Sequence, residues 1–211
     1  MTLIYLIRHG ETAWNQENIF RGRKDIPLSE KGRQEAQALA TALAPEPIKF
    51  IYTSPLSRAR ETAQPLADRL SLPVQIHDGL IDLDFGDWEG KPLKEIEQSA
   101  PDLFRLWKLS PDKVRFPGGE SLGLARDRAM AALVEIAKAR PQAAVAVVSH
   151  RVICKLLVLA ALNAPESAFW CIQQDLACYN ILEWTGQGWI VRLVNETAHL
   201  KDIAGHLNKD F

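Results

Sequence analysis

Residues 3–15 read "LIYLIRHGETAWN", and the interpretation of the whole chain starts from them. Leu3 to Ile7 are bulky apolar or β-branched residues, and such a short uninterrupted run predicts a strand that is buried on both faces. The run ends abruptly in Arg8, His9 and Gly10. Ligands of open α/β sheets bind outside the carboxyl ends of the strands. An arginine and a histidine at the end of a buried strand therefore indicate a functional site there.

Beyond this strand, predicted strands and helices alternate along the chain. Further strands are predicted at 50–54, 74–78 and 143–150, and the segments "CYNILEW", "TGQG" and "WIVRLVN" predict a terminal hairpin. Helices are predicted after Ser29 as N-cap, after Ser57 with a kink or restart at Pro65, and over about 120–139. The alternation predicts an α/β fold of three layers, α/β/α, around a mostly parallel central sheet. No linker or repeat interrupts it, so residues 1–211 are predicted to form a single domain.

The composition excludes several classes of function. A net charge of −1 gives no general attraction to nucleic acid or to an anionic membrane, so neither is expected as a partner. The longest apolar stretch, residues 152–162, is too short to span a bilayer, and no targeting segment is recognised. Cys154, Cys171 and Cys178 stand among apolar residues without metal-ligand spacing. They predict buried thiols in a reducing compartment, and hence a cytoplasmic location.

Two further predicted strands also end in polar residues. The strand at 50–54 runs into the segment that holds Arg58, and the strand at 143–150 ends in His150. Each such residue alone is more often structural than functional. Several positive groups that meet in one buried crevice, however, require an anion. A phosphate dianion fits best, because arginine forks match its oxygens and a turn at Gly10 lets the backbone approach closely.

The motifs that carry this argument also carry a resemblance. The segments "RHGETAWN", "GRKDIPLSEKGRQEA", "TSPLSRARETA", "DFGDWEG", "PGGES" and "VVSH" follow one another as in the histidine phosphatase superfamily, the phosphoglycerate mutase-like group. The resemblance extends to about residue 200 and is nearest to the small phosphatases, such as the phosphoserine and α-ribazole phosphatases. It implies a phosphoglycerate mutase-like fold and the hydrolysis of a small phosphorylated substrate. No metal or cofactor is expected.

The resemblance also implies roles for individual residues. His9 matches the nucleophile that forms a phosphohistidine, while Arg8, Arg58 and His150 match residues that stabilise charge on the phosphate oxygens. Asn15 matches a further phosphate-binding position. A nucleophilic histidine must be neutral, so the other ring nitrogen of His9 is expected to donate to a backbone carbonyl.

The proton donor is expected to be a carboxylic acid in "LIDLDFGDWEG". The matching position holds Asp82, where many relatives have glutamate. Asp84 is a rival, because its period-two spacing could place it on the same face as Asp82. Asp87 and Glu89 are interpreted as solvated loop carboxylates, and the same interpretation is favoured for Asp84.

The rim of the pocket carries four candidate substrate-binding residues: Arg21, Lys113, Arg115 and Arg151. Each has a surface charge as its alternative interpretation. Together they favour a substrate with a second anionic group, most simply a phosphorylated acid such as phosphoserine or 3-phosphoglycerate. Other side chains have plainer interpretations: core packing, with a lid as alternative, for Phe20, Trp107 and Phe116, an internal salt bridge for Glu120, and structural or surface positions for His77, His199 and His206.

Three other functions remain open. A phosphoglycerate mutase would return the phosphoryl group to substrate, but the chain lacks the long insertion before "PGGES" and has "SHR" where mutases typically read "HGNS". An α-ribazole phosphatase would bind its bulky substrate by stacking on aromatic residues. A non-catalytic module would bind phosphorylated ligands only, although the catalytic set is complete. The sequence leaves the choice between monomer and homodimer open.

Overall fold

The computed structural model describes residues 1–203 and centres on a six-stranded sheet. The strands are β1 (Thr2–Arg8), β2 (Ile48–Thr53), β3 (Val74–Ile76), β4 (Ala144–Ser149), β5 (Tyr179–Trp184) and β6 (Trp189–Glu196). Their order is β3-β2-β4-β1-β5-β6, with β1 to β4 parallel to one another and the β5–β6 hairpin antiparallel to β1. The predicted α/β fold with a mostly parallel sheet is confirmed.

Helices cover both faces of the sheet. They are α1 (Ala13–Gln16), α2 (Glu30–Leu43), α3 (Ser57–Leu70), α4 (Leu93–Ser99), α5 (Pro101–Leu109), α6 (Leu122–Ala139) and α7 (Arg151–Ala161). One apolar core joins α2 and α3 to the sheet, and a second, larger core joins α6, α7 and the aromatic residues of the segment between β3 and α6. Ser29 caps α2 as predicted, its hydroxyl accepting a hydrogen bond from the amide of Gly32 at 3.1 Å.

Two local predictions were wrong, namely a restart of the helix at Pro65 and the burial of Cys171. Helix α3 runs through Pro65 as one helix, because its buried face of small and apolar residues packs on the sheet and offsets the single hydrogen bond that proline removes. Cys171 is exposed, whereas Cys154 and Cys178 are buried. The reason is that Phe169 takes the inward position of the short 3-10 helix that ends at Cys171. His206 lies outside the described residues.

The topology decides where the polar strand ends meet. Strands β2, β4 and β1 are neighbours, and the register pairs Arg8 with Ser149 and Thr53 with Val148. Their carboxyl ends therefore open at one edge of the sheet, side by side. Among residues 1–203, no helix is both long enough and apolar enough to cross a membrane.

Candidate active site

Hydrogen bonds to backbone carbonyls fix both the main chain and the imidazole of His9 at the carboxyl end of β1. Its amide donates to the carbonyl of Ser149 at 3.0 Å, and its Nδ1 lies 2.7 Å from the carbonyl oxygen of Gly10. A carbonyl can only accept, so Nδ1 carries the proton and Nε2 keeps its lone pair. Burial lowers the pKa of His9 well below its usual value, and the charges of Arg58 and Arg8 add to this effect. The ring is therefore neutral and oriented, and its Nε2 could act as a nucleophile.

Arg58, in the first turn of α3, is fully buried and hydrogen-bonded along its whole guanidinium. Its Nη1 donates to the carbonyl of Lys24 at 2.8 Å, and its Nη2 donates to the carbonyl of Gly22 at 2.7 Å and to Asp82 at 3.3 Å. Its Nε donates to Nδ1 of His150 at 3.2 Å. This charge is fixed in place before any ligand arrives.

His150 faces His9 across the site, with the ring centroids 5.2 Å apart. It precedes α7 directly and is fully buried. Since Nδ1 accepts from Arg58, the ring proton sits on Nε2, which donates to the hydroxyl of Ser54 at 2.7 Å. Burial lowers the pKa of His150 well below its usual value, with Arg58 as the second cause.

Asp82 is the carboxylate of this cluster. Its Oδ2 lies 3.3 Å from Arg58 Nη2 and 3.7 Å from His150 Nδ1, and its Oδ1 accepts from the amide of Leu83 at 2.9 Å. Burial raises the pKa of Asp82, and Arg58 opposes that shift. A carboxyl group with a raised pKa beside a neutral imidazole is the pairing that an acid and a nucleophile require.

Asp84 occupies a different environment. Its carboxylate pairs with Arg23 at 3.3 Å and accepts from the amide of Gly86 at 2.8 Å, so both of its oxygens are engaged away from His9. Glu120 forms the predicted internal salt bridge, with Arg23 at 2.9 Å and with Arg128 at 3.0 Å. The geometry thus favours Asp82 over Asp84 as the acid.

Arg128, which the sequence analysis missed, supports the loop that carries Asp82. Its Nη1 donates to the carbonyls of Gly79 and Ile81, each at 2.8 Å, and its Nη2 donates to that of Asp82 at 3.2 Å. It projects from α6 and has no motif of its own. Backbone carbonyls carry no side-chain signature, so no sequence signal identifies such an arginine.

A small cavity gives access to the cluster. It is lined by His9, Ile19, Phe20, Arg21, Gly22, Asp82, Phe85, Arg151 and Val152. Of the four predicted rim residues, Arg21 and Arg151 are therefore at the cavity, and Arg21 is anchored by a hydrogen bond from Nη1 to the carbonyl of Trp14 at 3.3 Å. Lys113 and Arg115 are exposed and do not line it.

The remaining candidates do not line the cavity. Asn15 is buried, and its Oδ1 accepts from the amide of Thr12 at 2.9 Å and from the Thr12 hydroxyl at 2.8 Å, which closes the turn after His9. Trp107 and Phe116 are buried in an edge-to-face aromatic cluster with Phe85, as core packing predicts. Within residues 1–203, no three His, Cys, Asp or Glu side chains are grouped so that they could hold a metal ion.

The chain is similar to known phosphatases in sequence and in fold. The model of the histidine phosphatase superfamily (branch 1) matches residues 4–197. Phosphoserine phosphatase 1 of Hydrogenobacter thermophilus is 36% identical over 200 residues, which cover 95% of each chain. The structure of Bacillus stearothermophilus YhfR superposes with a TM-score of 0.92 at 33% identity, over 95% of this chain and 100% of that one. The structure of the α-ribazole phosphatase from Shigella flexneri superposes with a TM-score of 0.83 at 25% identity, over 92% of this chain and 96% of that one.

Proposed function

This chain belongs to the histidine phosphatase superfamily and is a phosphatase, and from that premise we propose that it hydrolyses phosphomonoesters without a metal, through a phosphohistidine at His9. One observation carries the proposal. A buried neutral imidazole, with its Nδ1–H fixed on the Gly10 carbonyl, shares a cavity with the raised-pKa carboxyl of Asp82. That arrangement supplies both a nucleophile and a proton donor.

In the first step, Nε2 of His9 attacks phosphorus while the ester P–O bond breaks. Arg8, Arg58 and His150 stabilise the charge on the non-bridging oxygens, which is the main requirement of phosphoryl transfer. The protonated carboxyl of Asp82 gives its proton to the departing alkoxide, so the alcohol leaves neutral. The imidazole, phosphorylated on Nε2, keeps its proton on Nδ1 and becomes cationic.

In the second step, water attacks the phosphohistidine. Asp82, now ionised and paired with Arg58 at 3.3 Å, accepts a proton from the water as its oxygen bonds to phosphorus. The P–N bond breaks, its electron pair returns to Nε2, and inorganic phosphate leaves. His9 is again neutral and Asp82 is again protonated, which completes the cycle without a cofactor.

The proposed substrate is a small phosphorylated acid, such as phosphoserine or 3-phosphoglycerate. Arg21 and Arg151 add two positive charges to the cavity beyond the phosphate pocket, and a guanidinium binds a carboxylate in bidentate fashion. The name of the Hydrogenobacter relative, phosphoserine phosphatase 1, agrees with this chemistry. A specific observation favours α-ribazole phosphate as second candidate, since Ile19, Phe20 and Phe85 give the cavity an apolar wall.

Substitution of the two cavity arginines tests the substrate class. Arg21→Ala and Arg151→Ala should each raise KM for phosphoserine about tenfold or more, because each removes a charge-assisted hydrogen bond to the carboxylate. Hydrolysis of p-nitrophenyl phosphate, which has no carboxylate, should be little changed. The matched control is Arg115→Ala, an exposed arginine that does not line the cavity. Equal losses on both substrates, or faster hydrolysis of α-ribazole phosphate than of any phosphorylated acid, would contradict the carboxylate assignment.

Chelation tests the absence of a metal. Dialysis against EDTA should leave the rate of phosphoserine hydrolysis unchanged, because the positive charge in the site comes from arginine side chains. The measurement is phosphate release before and after dialysis, with Mg²⁺ and Zn²⁺ added back separately as controls. A loss of activity that either ion restores would refute metal-independent hydrolysis.

A further inference from the structure

The peptide group between Gly10 and Glu11 is hydrogen-bonded at both ends, to a donor side chain at its carbonyl and to an acceptor side chain at its N–H. Its carbonyl accepts from Nδ1–H of His9 at 2.7 Å, and its N–H donates to Oε2 of Glu35 at 2.8 Å. A single planar unit thus connects a fully buried carboxylate on α2 to the imidazole. We propose that Glu35 is a positioning residue for His9, which acts through this amide to hold the ring and to support its positive charge in the phosphohistidine. The proposal rests on the phosphohistidine route proposed above.

The backbone around this amide leaves it no room to turn. A Cβ on Gly10 would lie 2.7 Å from the carbonyl oxygen of Gly32, and a Cβ on Gly32 would lie 2.1 Å from the carbonyl oxygen of Glu11. Only glycine at both positions allows the loop to approach the start of α2 so closely. The carbonyl of Glu11 also accepts from the amide of Ser29 at 2.8 Å. The motifs "RHGE" and "EKGRQE" therefore pack against each other, and each fixes the backbone of the other.

The charge of Glu35 matters more after phosphorylation than before it. In the resting site the imidazole is neutral, whereas the phosphorylated ring is cationic and still donates from Nδ1. A hydrogen bond to one end of an amide polarises the other end, so the carboxylate increases the negative charge on the Gly10 oxygen. An interaction that strengthens as the intermediate forms accelerates its formation and not merely substrate binding.

The surroundings of Glu35 are mixed in charge. Lys31 Nζ lies 3.8 Å from its Oε1 and 3.2 Å from Oε2 of Glu11, which is also buried. Burial raises the pKa of Glu35, while the Glu11 amide and Lys31 oppose the shift. A neutral glutamine could accept the same amide hydrogen bond without the desolvation cost of a carboxylate. A charge kept at such a cost, one amide from the nucleophile, fits a role in catalysis.

The test separates the effect of the charge of Glu35 from the effect of its hydrogen bond to the Glu11 amide. Glu35→Gln keeps an acceptor for the Glu11 amide and removes the charge. Its matched control is Glu183→Gln, which removes another buried carboxylate, paired with Arg192 on the antiparallel hairpin far from the site chemistry. Rapid quench with p-nitrophenyl phosphate measures the rate of phosphohistidine formation, and steady-state assays give KM. Thermal unfolding of both variants measures the loss of stability.

We expect Glu35→Gln to form phosphohistidine about tenfold more slowly with KM unchanged, a loss in the transition state alone. The proton NMR resonance of His9 Nδ1–H should move upfield in this variant, because its acceptor is less polarised. Glu183→Gln should change neither the rate of phosphohistidine formation nor this resonance, even if the variant is less stable. The proposal is overturned if the two variants lose rate equally, if KM rises in proportion, or if the resonance does not move. Absence of phosphohistidine in the unsubstituted protein would instead refute the proposed function.

Discussion

His9→Ala should reduce phosphoserine hydrolysis by roughly 10⁵-fold or more, because it removes the covalent route and not only one stabilising contact. Arg8, Arg58 and His150, the residues proposed to bind phosphate, remain in this variant, so it should still bind inorganic phosphate. Measurement of both quantities separates loss of chemistry from loss of binding.

His150 provides the matched control for this prediction, since its ring lies 5.2 Å from that of His9. Quenching with radiolabelled substrate should trap an acid-labile phosphoenzyme in the unsubstituted protein and, formed more slowly, in His150→Ala. His9→Ala should trap none. A phosphoenzyme that survives His9→Ala and disappears in His150→Ala would assign the nucleophile to the other histidine.

Asp82→Asn should reduce turnover of phosphoserine by about 10²–10⁴-fold, the usual range for loss of a general acid. With p-nitrophenyl phosphate the leaving group needs no proton, so the first turnover should stay fast. The water step then lacks its base. We therefore expect a burst of about one equivalent of nitrophenolate per site, followed by slow release of phosphate and accumulation of the phosphoenzyme.

Asp84→Asn is the control for this second prediction, because Asp84 stands two positions away and pairs with Arg23 at 3.3 Å. It should show neither the leaving-group dependence nor the burst. If Asp84→Asn produced the burst and Asp82→Asn did not, the assignment of the acid would be reversed.

The positions of His9, Arg58 and His150 could be predicted from the sequence because His9 and His150 directly follow buried strands and Arg58 lies in the first turn of the helix after another. The parallel topology then brings neighbouring carboxyl ends together. The hydrogen-bond acceptor of His9 could not be predicted, since the carbonyl of Gly10 has no side-chain signature. Sequence alone predicts that a neutral imidazole needs such a partner but does not identify it.

The rim was less predictable than the centre. Arg151 immediately follows a strand end, and Arg21 lies on a loop held by its own hydrogen bond, so both reach the cavity. Lys113 and Arg115 belong to the segment between β3 and α6, whose short helices and turns give no periodicity from which to derive a path. Its aromatic residues fold inward and leave these two charges outside.

The hydrogen bonds of Arg58 constrain how this scaffold can acquire new substrates. Two of its donors are occupied by the carbonyls of Gly22 and Lys24, and Asp25 accepts from the amide of Ser57 at 2.7 Å. The loop that carries Arg21 is thus hydrogen-bonded to Arg58, the arginine proposed to bind phosphate. An insertion or deletion in this loop would displace Arg58 and impair the hydrolysis of every phosphate ester alike. Evolution of a new specificity should therefore proceed by exchange of side chains at positions such as 21 and 151, with the length of the loop preserved.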